Sequence, residues 1–293
     1  MHPTIAKLLQ EKPVVTDGAW GTMLQGLGLP VGTNPDGWNL TEPAKVQQVA
    51  AAYVAAGSRI ILTNTFGANR LRLAESGLAD QAVAINRRGV ELSKAAAGTK
   101  ALVFASVGPS GKMLLTGDVT EEQLYAAFAE QAAAIAAAGA DGIVIETMED
   151  LAEITQAVKA AKTTGLPVVA CLTFSTGKNK DRTMMGVTPE RAAELLAVGA
   201  DVIGANCGQG IESFVPICTR LAQAAGGPVW MKPNAGLPQM QGGRTVYVGT
   251  PADFARQVPA LIAAGAAFIG GCCGSTPDYI RATRTVLAGA AKA

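Results

Sequence analysis

The stretch AAGADGIVIET (137–147) runs from the end of an Ala-rich helix, through a glycine, directly into a short apolar strand. The same pattern returns as AAGSRIILTNT (55–65), AVGADVIGANC (197–207) and AAGAAFIGGCC (263–273). Glycine is the usual residue just past a helix end, and such an apolar run is typical of a parallel strand buried on both faces. The repeat therefore predicts helices and strands in regular alternation.

Four further apolar segments complete the pattern, namely KPVVTDGAW (12–20), TKALVFASVGP (99–109), LPVVACLTF (166–174) and GPVWMKPNAG (227–236). Strands are thus predicted near 13–17, 59–65, 101–107, 142–147, 167–173, 201–206, 228–232 and 267–271. Helices are predicted at about 43–57, 79–97, 120–139, 150–164, 188–199, 211–225, 251–265 and 277–291.

This alternation predicts an α/β fold, a (β/α)8 TIM barrel that forms a single domain over residues 1–293. Evenly spaced strand–helix units in a chain of 293 residues are typical of that fold. The alternative is an open doubly wound sheet, which is less favoured because no Gly-rich dinucleotide-binding turn follows the first strand.

Composition and charge exclude several classes of function. The chain has 24 basic and 23 acidic residues, with no block of like charge, which argues against nucleic-acid or membrane-surface binding. The first residues lack a secretory signal pattern, and the Ala-rich run at 126–138 is too short to span a bilayer. We therefore expect a cytoplasmic protein with neither nucleic-acid nor membrane partners.

The histidine and cysteine counts narrow the chemistry. The chain has one histidine, His2, close to its first residue, so a Ser-His-Asp triad and a His-rich metal site are excluded. Five cysteines in a chain of this length do not form a disulfide framework. Activation of a reactant must therefore come from a carboxylate, a lysine, a thiolate or a thiolate-bound metal.

Polar residues stand at the predicted carboxyl ends of the strands, where the active site of a TIM barrel lies. They include Asp17, Asn64, Thr65, Ser106, Glu146, Asn206, Cys207, Lys232, Cys272 and Cys273. A single one of them could be a helix cap or a solvated loop entry, but a whole ring of polar ends favours a functional site.

Cys207 ends the sixth predicted strand, and Cys272 and Cys273 end the eighth. These strand ends are roughly 10 Å apart, since neighbouring strands lie about 4.8 Å apart. Three converging thiolates select zinc, and three protein ligands leave the open position of a catalytic site. Buried apolar thiols or a vicinal disulfide remain alternatives, and Cys171 and Cys218 are expected to pack in the core.

The strand-end motifs together resemble the homocysteine S-methyltransferase family. This family includes the homocysteine domain of cobalamin-dependent methionine synthase, betaine–homocysteine methyltransferase and S-methylmethionine-dependent enzymes. The resemblance covers nearly the whole chain, and the pairing of Asn-Cys-Gly with Gly-Gly-Cys-Cys-Gly is its most specific part. The motifs are DGAWGT (17–22), TNTFGAN (63–69), GPSG (108–111), ETM (146–148), ANCG (205–208) and GGCCG (270–274).

The resemblance implies a homocysteine-binding barrel in which Cys207, Cys272 and Cys273 hold Zn²⁺. It also implies that Glu146 and Asp17 bind the amino group of homocysteine. Backbone amides between Ser106 and Gly108 would receive its carboxylate. Asn64, Thr65 and Asn206 are further candidate substrate-binding residues.

The methyl donor is expected to be a methylated corrinoid, such as methylcobalamin, carried by a partner protein. Betaine-dependent relatives have tyrosines where this chain has Gly67 and Thr147, so the aromatic lining that a quaternary ammonium needs is reduced. The chain ends at Ala293, just after the eighth predicted helix, so the donor is expected from a separate corrinoid protein or from a small molecule.

Other functions remain open at this stage. S-methylmethionine or betaine would be the small-molecule donors. In another class, Lys232 would form a Schiff base with a carbonyl substrate. A non-catalytic thiol sensor would instead use a reversible Cys272–Cys273 disulfide.

Overall fold

The computed structural model describes residues 1–241 and 244–290. Its main sheet has eight parallel strands in the order β1-β10-β7-β6-β5-β4-β3-β2. The strands are β1 (Val14–Val15), β2 (Ile60–Ile61), β3 (Leu102–Val107), β4 (Gly142–Met148), β5 (Val168–Leu172), β6 (Val202–Gly210), β7 (Val229–Asn234) and β10 (Ala266–Ile269). The backbone N–H of Arg59 donates to the carbonyl of Val15 at 2.7 Å and joins the two ends of the sheet. The predicted single-domain TIM barrel is confirmed.

Helices alternate with these strands; the longer ones cover the outside of the barrel, and α1 lies at its lower end. They are α1 (Pro3–Leu8), α2 (Trp20–Gly26), α3 (Trp38–Thr41), α4 (Pro43–Ala55), α5 (Arg70–Ala74), α6 (Ala82–Ala97), α7 (Glu121–Ala137), α8 (Leu151–Lys162), α9 (Pro189–Ala192), α10 (Glu194–Val198), α11 (Ile211–Ala225), α12 (Pro251–Ala263) and α13 (Pro277–Ala290). Short 3-10 turns occupy Leu9–Glu11 and Ala79–Gln81. Thr120 and Gln123 form a reciprocal capping box at the start of α7, as such a pair does at many helix N-termini.

Three elements differ from the sequence prediction. β1 and β2 are each only two residues long, and the polar residues Asp17 and Thr63 each stand two positions after the strand end. The helix predicted at 188–199 is divided into α9 and α10. An antiparallel hairpin, β8 (Pro238–Gln241) with β9 (Arg244–Tyr247), follows β7 and was not predicted.

The lower end of the barrel, at the amino ends of the strands, is closed by apolar packing. Helix α1 places Ile5 and Leu8 in the same buried cluster as Trp230 and Phe268. The Trp230 ring stacks on Phe268, with 5.2 Å between ring centroids. Burial of such large apolar surfaces is the main source of stability in a fold of this kind. Cys171 belongs to this cluster too, in agreement with its predicted core position.

None of the helices in the described part of the chain combines the length and apolarity that a bilayer crossing requires.

Candidate metal centre and active site

A cavity of about 260 Å³ opens at the carboxyl ends of the strands. Its wall contains Cys207, Cys272 and Cys273, together with the charged residues Glu146 and Lys232. These residues come from β4, β6, β7 and the loop after β10, so distant parts of the chain meet in one small space. The cavity is therefore the candidate active site.

The three predicted cysteines converge. The sulfur of Cys207 lies 3.7 Å from that of Cys273, and all three sulfur atoms lie within 4.8 Å of one another. Among residues 1–241 and 244–290, no other group of three or more His, Cys, Asp or Glu side chains is placed to share a metal ion. All three cysteines are half-buried and line the cavity, whose volume leaves room for a further ligand.

The backbone around Cys207 explains how its side chain enters the cavity. Cys207 has φ of 60° and Gly208 has φ of 73°, so both adopt the left-handed conformation. The pairing of β6 with β7 shifts register between Asn206 and Gly210 at the same place. A left-handed non-glycine residue at a bulge is a strained arrangement that concentrates at functional sites.

Cys272 and Cys273 are fixed by the strands on both sides of β10. The N–H of Cys272 donates to the carbonyl of Pro233 at 2.8 Å, and the N–H of Ala235 donates to the carbonyl of Cys273 at 2.9 Å. On the other side, the N–H of Gly271 donates to the carbonyl of Asp17 at 2.9 Å. This turn allows two adjacent cysteines to direct their sulfurs to one centre.

The electrostatics of the cluster fit a bound cation. The hydrogen bond to Cys272 lowers the pKa of Cys207, but the hydrogen bond to Cys273 and burial outweigh it and raise that pKa to about 12. The pKa of Cys272 is raised as well, first by its hydrogen bond to Cys207. Three thiolates this close repel one another, so each proton is held until a cation takes its place.

The donor set fits zinc. Sulfur is the soft ligand that zinc prefers, and the 3.7 Å between the sulfurs of Cys207 and Cys273 is close to the ~3.8 Å that two tetrahedral Zn–S bonds of about 2.3 Å require. Asn234 adds a buried side-chain oxygen with no hydrogen-bond partner within the described residues. Its neighbours Pro233 and Ala235 are hydrogen-bonded to Cys272 and Cys273, so this oxygen belongs to the same end of the barrel.

Asp17 lies beneath the cavity and is completely buried. One carboxylate oxygen accepts from the ammonium of Lys232 at 2.6 Å. The other accepts from the indole N–H of Trp20 at 2.8 Å and from the backbone N–H of Leu62 at 2.7 Å. Because these three donors from the protein already occupy its two oxygens, Asp17 is placed to act on the site through its charge, and a direct contact with a ligand is disfavoured.

Glu146 lines the cavity and is buried, with 7% of its surface exposed. Its Oε1 accepts from the hydroxyl of Ser106 at 2.5 Å. Burial raises its pKa, and the charge of Lys232 opposes that rise. Of the two predicted carboxylates, Glu146 is the one that a small molecule in the cavity can reach.

Lys232 keeps its proton in this environment. Burial alone would lower its pKa, but the charges of Asp17 and Glu146 raise it above the usual value. A lysine that forms Schiff bases needs the opposite shift, since the free amine is the nucleophile. The ion pair with Asp17, with 2.6 Å between Nζ and Oδ1, favours the protonated amine and therefore disfavours the Schiff-base alternative.

The other predicted substrate-binding residues form the frame of the site. Asn206 is buried, accepts from the N–H of Thr147 at 2.7 Å and donates to the Thr147 hydroxyl at 2.7 Å. Thr147 has a left-handed φ of 61° that this clamp maintains. Thr65 is also buried and donates to the carbonyl of Ser106 at 2.7 Å. Asn64 lines the cavity, with its amide nitrogen bound to the carbonyl of Pro35 at 2.8 Å.

Two of the backbone amides expected to bind a carboxylate, those of Ser106 and Gly108, already have partners inside the protein. The N–H of Ser106 donates to the hydroxyl of Thr63 at 3.1 Å. The N–H of Gly108 donates to the carbonyl of Phe66 at 2.7 Å. Ser106 lines the cavity, whereas Gly108 does not.

Sequence reasoning missed the roles of Trp20 and Tyr247. Trp20 follows Asp17 by three residues in the quoted DGAW motif, so its hydrogen bond to the carboxylate had a local signal. Tyr247 lies on the unpredicted hairpin and interacts with the thiol of Cys273. Nothing in the strand–helix repeat indicated that this residue returns to the mouth of the barrel, which is the open end at the carboxyl ends of the strands.

Comparison with known proteins gives consistent matches along the chain. The profile described as homocysteine S-methyltransferase matches residues 14–287. The methionine synthase of Mycobacterium leprae (strain TN) is 31% identical over 307 residues, covering 97% of this chain and 25% of that protein. The methionine synthase of Mycobacterium tuberculosis (strain ATCC 25618 / H37Rv) is 32% identical over 304 residues, covering 96% and 25%. The chain thus spans about a quarter of the length of these relatives.

Solved structures show the same architecture. The oxidised form of the homocysteine methyltransferase MmuM from Escherichia coli is 26% identical, with a TM-score of 0.79 over 95% of this chain and 97% of that one. The metallated form of MmuM is 24% identical, also with a TM-score of 0.79, over 95% and 98%. At that identity the second match supports the fold alone.

Proposed function

This chain belongs to the homocysteine S-methyltransferase family, and from that premise we propose that it is a zinc-dependent enzyme that methylates homocysteine to methionine. The observation that carries the proposal is the meeting of three cysteine sulfurs within 4.8 Å of one another in the wall of a small cavity. Cys207, Cys272 and Cys273 would hold the zinc ion. A reducing compartment such as the cytoplasm, where we propose that the protein works, keeps these thiols free for metal.

The reaction needs a thiolate nucleophile at neutral pH. A free thiol has a pKa near 8.5 and is mostly protonated there. Zinc, when bound, lowers the pKa of a thiol that coordinates it. In the transfer, the bond between the donor and the methyl carbon breaks while a carbon–sulfur bond forms, and the thiol proton leaves to solvent.

The protein's own residues supply binding and orientation. Glu146 presents a carboxylate to the cavity and would bind the ammonium group of homocysteine. Lys232 and Asp17 beneath it form a buried ion pair with 2.6 Å between Nζ and Oδ1, which keeps charged groups in fixed positions. The one histidine, His2, caps α1 at the opposite end of the barrel, so proton removal by a histidine base is excluded.

The size of the cavity supports a large donor that approaches from outside. A volume of about 260 Å³ accepts a compound of amino-acid size but lies below the range of ~300–1,000 Å³ that is usual for larger ligands. Gly67 and Thr147 leave the mouth without the tyrosines of betaine-dependent relatives. We therefore propose a methyl-corrinoid carried by a separate protein as the donor, and S-methylmethionine or betaine as the alternatives.

A methyl-donor screen tests this function. The zinc-loaded protein is mixed with homocysteine and, in separate reactions, methylcobalamin, betaine, S-methylmethionine or S-adenosylmethionine, and methionine is measured. We expect one equivalent of zinc and methionine formation with methylcobalamin. Methionine from betaine or S-methylmethionine alone would overturn the proposed donor. Absence of zinc binding, or of transfer from every donor, would overturn the proposed function.

A further inference from the structure

The hairpin of β8 and β9 brings a side chain back to the metal centre. It follows β7 directly, and the pairing of Pro238 with Tyr247 places Tyr247 at its base, next to the barrel. The N–H of Gly249 donates to the carbonyl of Ala235 at 2.9 Å and fixes the end of the hairpin against the end of β7. Ala235 is itself bonded to the carbonyl of Cys273, so one chain of contacts joins the hairpin to the cysteine turn.

The ring of Tyr247 packs directly on the residue after the two cysteines. A Cβ atom added at Gly274 would lie 2.2 Å from Cγ of Tyr247, so only glycine leaves room for the ring. Gly274 also has φ of 79°, a conformation that glycine adopts without strain. Its N–H donates to the hydroxyl of Thr22 at 3.1 Å. The turn is thus held between a threonine on one side and an aromatic ring on the other.

The side chain of Tyr247 lies beside Cys273, because its ring packs on the next residue, Gly274, and its phenol interacts with the Cys273 thiol. A phenol has an O–H to donate, whereas a thiolate can only accept, so the hydroxyl is the donor of this pair. Asn206 stands in a similar relation to another cysteine, because its amide nitrogen lies 3.7 Å from the sulfur of Cys272.

We propose that Tyr247 is a positioning residue of the metal centre, whose hydroxyl donates a hydrogen bond to the Cys273 thiolate. Three thiolates outweigh the two positive charges of a zinc ion, and a substrate thiolate adds to the excess. A hydrogen bond to one sulfur stabilises part of this excess charge and fixes the direction of that ligand. The inference rests on the metal-centre part of the proposed function and requires no particular methyl donor.

The test compares Tyr247→Phe with the wild-type protein and with Tyr125→Phe, a change on the exposed face of α7. Phenylalanine retains the ring that packs on Gly274 and removes only the hydroxyl. Zinc affinity is measured by competition with a chelator at fixed pH, and the sulfur-to-metal charge-transfer bands are recorded after substitution with Co²⁺. We expect about a tenfold loss of zinc affinity and a shift of these bands in Tyr247→Phe alone.

Unchanged zinc affinity or unchanged cobalt bands in Tyr247→Phe would overturn the inference. Both measurements are made without homocysteine or a methyl donor, so they are separate from the test of methyl transfer. A protein that shows the tyrosine effect but methylates no homocysteine would contradict the proposed function and leave the role of Tyr247 intact. Circular dichroism of each variant checks that the fold is retained.

Discussion

The two ends of the barrel are built from the same strands but differ in chemistry, and β7 shows the contrast within one strand. Trp230 points into the apolar cluster at the lower end, whereas Lys232, two residues later, forms a buried ion pair under the mouth. Alternate residues on a strand share one face, so both side chains belong to the barrel interior. The intervening Met231 packs in the other cluster, against the helices.

The lower end stabilises the fold, and the mouth carries features that stability alone would not select. Large apolar side chains fill the lower end with complete burial. At the mouth, Thr147 and Cys207 have left-handed backbones, Lys232 and Asp17 are buried charges, and the three thiols crowd together. Because strain and buried charge each cost free energy, the mouth depends on the packing beneath it.

Removal of one sulfur at the mouth should have the largest effect, because it should abolish function without unfolding the barrel. Cys207→Ala should abolish zinc binding and methyl transfer while the barrel remains folded, because the cluster adds little to the core. Zinc content, methionine formation and thermal unfolding are the measurements. Cys218→Ala is the matched control, since Cys218 is buried on α11 and lies outside the cluster. Normal transfer by Cys207→Ala would exclude Cys207 as a ligand.

Removal of the positive charge of Lys232, beneath the mouth, should lower the free energy of unfolding. Lys232→Met leaves Asp17 buried without its partner, and the expected loss in free energy of unfolding is about 3–5 kcal/mol. Urea unfolding measures it, with Lys162→Met as control. The Lys162–Asp201 pair is partly exposed and should contribute no more than about 1 kcal/mol.

The double variant Lys232→Met with Asp17→Asn should recover much of the stability lost in Lys232→Met. A loss in Lys232→Met no larger than the control would mean that the ion pair is dispensable.

The lower end is tested by Ile5→Ala, which opens a gap where α1 closes the barrel. We expect a loss of roughly 2–5 kcal/mol in the free energy of unfolding, with one zinc ion still bound. Val83→Ala, at a half-exposed position on α6, is the control and should change stability little. If Ile5→Ala lost zinc while still folded, the two ends would not be separable in the way proposed.

The smallest expected effect is on substrate affinity at the mouth. Glu146→Gln should retain zinc and weaken homocysteine binding about tenfold, which is close to the ~1.5 kcal/mol of a charge-assisted hydrogen bond. Because burial raises the pKa of Glu146 above its usual value, its carboxylate ionises later as pH rises.

The binding advantage of the wild type over Glu146→Gln should therefore grow with pH through that raised pKa and vanish below it. Calorimetric titration of homocysteine into both proteins at several pH values measures the difference. A constant difference across pH would show that the charge of Glu146 plays no part.

Much of the mouth and most of the barrel were predictable from local patterns. The helix–glycine–strand repeat specifies the fold because period and glycine placement are local properties of the chain. The convergence of Cys207 with Cys272 and Cys273 follows from the fold, since strand ends meet at one rim. The single-domain barrel and the family are confirmed, while the roles of individual site residues remain predictions.

The rest depends on contacts that no local pattern encodes. Lys232 meets Asp17 across 215 positions of the chain, and no periodicity links the two. The hairpin that carries Tyr247 had one signal, the Gly242-Gly243 pair between two short runs, which is common in tight turns. Gly242 and Gly243 themselves lie outside the described residues.

The short first and second strands leave a seam in the barrel wall. One backbone hydrogen bond, from Arg59 to Val15, crosses it, and the hydroxyl of Ser58 donates to the carbonyl of Thr16 at 3.2 Å. The Asp17 carboxylate adds a further link by accepting from the N–H of Leu62 at 2.7 Å. The side-chain carboxylate of Asp17 thus takes the place of a backbone carbonyl as the acceptor between these two segments. Asp17, which lies beneath the cavity, therefore also joins the first and second strand segments of the barrel. Amide hydrogen exchange at Leu62 would measure how often this hydrogen bond breaks.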